Sequence, residues 1–95
     1  MYFTEEDIAD RLLFGCKRFF SSKRFWKNEL EAKLIGNEGE FGCLKFIFID
    51  NGEIEDVYLM KVFIKDRPKM EAVVASAVEN ISKDFQNIQG VSYEV

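Results

Sequence analysis

The apolar positions of this chain fall into runs whose period switches between that of a helix and that of a strand. Ile8, Ala9, Leu12, Leu13, Cys16, Phe19 and Phe20 recur at three- and four-residue spacing and gather on one helical face. Thr4 precedes the stripe as an N-cap, and Glu5, Glu6 and Asp7 fill the first turn, where the helix dipole favours anions. Phe3 and Ile8 occupy the N′ and N4 positions of a hydrophobic staple. The spacing predicts a helix from residue 5 to about residue 20. Its far face carries Asp7, Asp10, Arg11 and Arg18, and helical phase turns Phe14 to solvent among them.

Leu30, Ala32 and Leu34 then alternate with Glu29, Glu31 and Lys33, which predicts a strand over about 29–35. Glu29 and Lys33 at i,i+4, with Gly36 beyond, suit a short helix almost as well. Segments 41–49 and 54–64 are rich in Phe, Ile and Val, and Asn51-Gly52 between them is a preferred type I′ turn pair. A two-residue loop implies a register in which Asp50 faces Glu53, Ile49 faces Ile54, Phe46 faces Val57 and Leu44 faces Leu59. Strict alternation then assigns Leu44, Phe46, Phe48, Val57, Leu59 and Phe63 to the core. The opposite face receives Cys43, Ile47, Ile49, Ile54, Tyr58, Met60, Val62 and Ile64, interrupted by Lys45 and Asp56. Monomers seldom expose contiguous apolar patches much above a few hundred Å², so this second face calls for a cover. The amino-terminal helix, a second copy of the chain and a partner protein are the candidates.

After Asp66-Arg67-Pro68, with Pro in the first turn, Met70, Val73, Val74, Ala77, Val78, Ile81, Phe85 and Ile88 keep helical spacing to residue 89, and Gly90 is placed as a C-cap. Val91, Tyr93 and Val95 alternate as a last short strand. The expected fold is α+β in the order α-β-β-β-α-β, an antiparallel sheet with a central hairpin packed against two helices. With 95 residues the chain is expected to form one domain, because two halves would each bury too little surface to offset their ordering entropy.

Composition narrows the function classes. Hydrophobic residues make up 47% of the chain, which sets it apart from disordered sequences, and the formal charge of -4 argues against nonspecific attraction to phosphate backbones. The acidic amino terminus is unlike the basic start of a signal peptide, and no apolar run approaches the roughly 20 residues of a membrane span. A cytoplasmic protein with no membrane association is expected. Histidine is absent, which removes imidazole acid-base chemistry, the Ser-His and Cys-His pairs and the commonest metal ligand. Cys16 and Cys43 fall at no metal-site spacing and read as core residues. No cofactor, metal or catalytic residue is expected, and the chain is read as a non-enzyme.

Three charged features remain. Lys17, Arg18, Lys23, Arg24 and Lys27 interleave with Phe19, Phe20, Phe25 and Trp26, a segment that could hold phosphates while an aromatic ring stacks on a base, worth roughly 1 to 3 kcal/mol per base. The same pattern also describes core aromatics at the end of a helix whose cations oppose its dipole. Lys65, Arg67 and Lys69 open the second helix, and α-β-β-β-α is the element order of double-stranded RNA-binding domains, which use lysines at that place. Glu71 follows at once, however, and the likeness is one of element order alone. Acidic residues concentrate over 38–56, where Asp50 and Glu53 would be hairpin neighbours, an arrangement that suits a solvated turn.

The sequence therefore favours a noncatalytic protein-binding module, such as a small acidic inhibitor, an immunity-type protein or an accessory factor. Its expected interface residues are Phe14, Ile47, Tyr58, Met60 and Val62, covered by another protein or, most simply, by a second copy as a homo-oligomer. A self-associating assembly subunit, for example of a ring or a phage particle, is the second class. Nucleic-acid binding through Lys17, Arg18, Lys23, Arg24, Trp26 and Lys27 is the third and least expected.

Overall fold

The computed structural model describes residues 3–20, 27–38, 41–85 and 88–89. Helix α1 spans Glu5–Phe19, strands β1, β2 and β3 span Asn28–Glu38, Phe41–Asp50 and Glu53–Phe63, helix α2 spans Arg67–Asp84, and a two-residue strand β4 spans Ile88–Gln89. The sheet order is β3-β2-β1-β4, antiparallel throughout except for β4, which runs parallel to β1. The α+β class and the order of elements agree with the sequence reading, and the ambiguous stretch before Gly36 is a strand.

Local chemistry accounts for the element ends. The Thr4 hydroxyl accepts from the Asp7 backbone N–H at 3.3 Å while the Asp7 carboxylate accepts from the Thr4 backbone N–H at 2.8 Å, a reciprocal capping box. The Thr4 backbone bond, and then the Thr4 hydroxyl, hold the Asp7 carboxyl below its ordinary range. Asp66 caps α2 by accepting from the Lys69 N–H, with Pro68 in the first turn. Asn51 and Gly52 adopt φ of 52° and 86°, the left-handed geometry of a type I′ turn.

Helix α2 stops at Asp84, five residues before the expected end at 89, and Phe85 caps it in extended conformation. Apolar residues at 85 and 88 serve a helical face and a turn into a parallel strand equally well, so periodicity does not separate the two. Pairing of Ile88 and Gln89 with Asn28 and Glu29 satisfies part of β1's edge instead. The expected C-cap at Gly90 and the strand at 91–95 lie outside the described residues.

The largest departure from the sequence reading is in β3. Its register begins as expected, with Asp50 opposite Glu53 and Ile49 opposite Ile54, but the next paired residues are Phe48 and Asp56. Glu55 is an extra residue, a β-bulge, and beyond it Phe46 faces Tyr58 and Leu44 faces Met60. One inserted residue exchanges the faces of everything that follows. Val57, Leu59 and Phe63, assigned to the core by strict alternation, therefore point away from it. Tyr58, Met60 and Val62, assigned to a partner-facing surface, turn toward the helices instead.

Both helices pack on this one sheet face. The core joins Ile8, Leu12, Cys16 and Phe20 of α1 and its cap, Leu30, Ala32 and Leu34 of β1, Leu44, Phe46 and Phe48 of β2, Met60, Val62 and Ile64 of β3 and its end, and Val74, Val78 and Ile81 of α2. Phe48 is its aromatic centre, with ring centroids 5.0 Å from Tyr58, 5.6 Å from Phe19 and 5.7 Å from Phe20. Gly15 lets α1 lie against that ring, because a Cβ built there would overlap Phe48.

Two stability measurements follow from this packing. Gly15→Ala is expected to destabilise by roughly 1 to 3 kcal/mol in urea unfolding, since overpacking outweighs the ~1 kcal/mol that Ala gains over Gly in helix propensity. The Phe48 ring is fully buried among other rings and has no room to yield; a more stable Gly15→Ala protein would show that α1 does not rest on it. Gly52→Val is expected to cost about 1 kcal/mol or more, because a β-branched residue is strained at positive φ. Unchanged stability would mean that the turn has another geometry.

Candidate functional site

Both helices cover one face of the sheet, and among the described residues nothing is layered on the other. Its side chains form rows across β1, β2 and β3: Glu29, Ile49 and Ile54; Glu31, Ile47 and Val57; Lys33, Lys45 and Leu59; Ile35, Cys43 and Lys61; then Phe41 and Phe63. Ile54 and Leu59 are each 65% exposed, Ile35 44% and Phe63 40%. Phe41, Cys43, Ile49 and Val57 are half-buried by their neighbours on the sheet. Ile47 is shielded at the centre of the middle strand but does not belong to the core. The Phe41 and Phe63 rings meet edge-on at 5.4 Å, and the Lys61 ammonium stands 5.3 Å from the Phe41 ring centre.

Of the five side chains expected at an interface, Ile47 alone stays on this face. Met60 and Val62 are 1% and 0% exposed within the chain's own core, so no partner can reach them. Tyr58 is half-buried between Phe48 and Phe19, and the Arg11 guanidinium of α1 lies 5.7 Å from its ring centre. The helices thus cover Tyr58, Met60 and Val62 of the expected second face, while Cys43, Ile47, Ile49 and Ile54 of that same set stay on the side away from the helices. Phe14 is exposed as expected, at 53%, on the far side of α1, where it lines a shallow cavity of about 350 Å³ with Phe3, Asp7, Asp10 and Arg11. It stands on the opposite layer from Ile47, so the two do not form one surface.

Val57, Leu59 and Phe63 are the outward residues that strict alternation missed. One signal for them is present in the sequence. The unbulged register places Lys61 on the core face between Leu59 and Phe63, while Tyr58, Met60, Val62 and Ile64 form an uninterrupted apolar alternation on the other. Burying a cation without a partner costs far more than a bulge, so the second set belongs inside.

Among the nucleic-acid candidates, Lys17 and Arg18 are exposed in the last turn of α1, where they oppose the helix dipole, and Lys27 is exposed just before β1. Phe20 is buried and Phe19 packs on the core, so neither ring is free to stack on a base. Lys23, Arg24 and Trp26 lie outside the described residues. In the second basic group Arg67 turns inward, its Nη2 donating to the Leu34 carbonyl at 3.0 Å and its Nε 3.4 Å from Glu71. Lys65 and Lys69 remain exposed beside an open groove of about 700 Å³ that Phe63 also lines.

Burial makes Cys16 a poor nucleophile. Cys16 is wholly buried, which pushes its thiol up to about 12, and Cys43 sits half-buried on the outer face. Among the described residues no three Cys, Asp or Glu side chains gather where a metal ion could sit, and no helix is long and apolar enough to cross a membrane. Comparison of the chain with family models, with curated proteins and with solved structures finds no match to it.

Proposed function

We propose that this protein is a noncatalytic protein-binding module and that the outer face of its sheet is the binding surface. The observation that carries this reading is the exposure of Ile54, Leu59, Ile35 and Phe63 on a face that neither described helix covers. Each such side chain contributes roughly 1.5 to 3 kcal/mol on full burial, so docking another polypeptide here recovers more than any single polar contact would. Charged residues share the face with these apolar ones, Glu29, Glu31 and Lys33 on β1, Lys61 on β3 and Lys45 at the centre of β2, so a partner has to meet the Lys45 ammonium with a polar group of its own. The proposal places the protein in the cytoplasm, where thiols such as Cys16 and Cys43 stay reduced. The face itself, rather than the acidic hairpin tip, is the contact, because Asp50 and Glu53 stand at its margin.

A photoactivatable p-benzoylphenylalanine in place of Leu59 tests the reading in host cells. Illumination is expected to yield a covalent adduct with a second polypeptide, whereas the same residue in place of Glu79, exposed on α2, is expected to yield none. Adducts from position 79 and not from position 59 would move the binding surface to the helices and overturn the proposal.

A further inference from the structure

We draw no further inference here: the strongest candidate, the open groove of about 700 Å³ where β3 leads into α2, sets Lys65 and Lys69 against Glu5 and Asp66 in its own lining, so its charge selects no ligand and it rests on a helix N-terminus alone.

Discussion

Lys61 lies between Met60 and Val62 on a strand whose neighbours in the sheet and helices are almost wholly apolar, and an ammonium carried into that interior without a partner would cost several kcal/mol. The Glu55 bulge avoids this by exchanging the two faces of β3 after its second row. Much of the architecture depends on that exchange. It delivers Tyr58, Met60 and Val62 to the helices, completes the ring cluster around Phe48, and sends Val57, Leu59, Lys61 and Phe63 outward. A bulge interrupts the ladder at one residue, a smaller loss than a buried charge, and it falls beside the hairpin turn where the strand ends are already exposed.

With β3 set, both helices occupy the face that carries Met60 and Val62. α1 reaches it because Gly15 admits the Phe48 ring, and Arg11 on its flank lies over the rings of Phe3 and Tyr58, with centroid distances of 5.4 and 5.7 Å. α2 contributes Val74, Val78 and Ile81 and uses Arg67 to satisfy a β1 carbonyl at the sheet margin. The outer face is what this one-sided packing leaves over. Its apolar content is a consequence of the same strand sequences that build the core, since Cys43, Ile47 and Ile49 alternate with Leu44, Phe46 and Phe48 along β2. An antiparallel sheet with one solvated face ordinarily carries polar residues there, and the apolar outward residues are what the proposed docking role explains.

How legible these features are in the sequence depends on the range of the forces behind them. The α1 cap at Thr4, its stripe from Ile8 to Phe20, the exposure of Phe14 and the Asn51-Gly52 turn are all decided by residues within a few positions of one another, and local pattern reads them directly. The choice of strand over helix for β1 rests on the alternation of Leu30, Ala32 and Leu34. The end of α2 is not readable, because Phe85 and Ile88 suit either continuation and the tie is broken by a distant edge at Asn28. Turn geometry extended through ten residues assigns the faces of β3 wrongly, because it leaves out what Lys61 would meet. The candidate interface residues inherit that error, which puts Met60 and Val62 outside and Leu59 inside.

Core, ring cluster and outer face all follow from the register of β3 against β2, and nuclear Overhauser contacts between side chains of the two strands measure it most directly. Contacts of Phe46 with Tyr58 and of Leu44 with Met60, together with none between Leu59 and either helix, are the result the bulged register requires. Contacts of Phe46 with Val57 and of Leu44 with Leu59 would contradict it, return Leu59 to the core, and take the apolar outer face away with it.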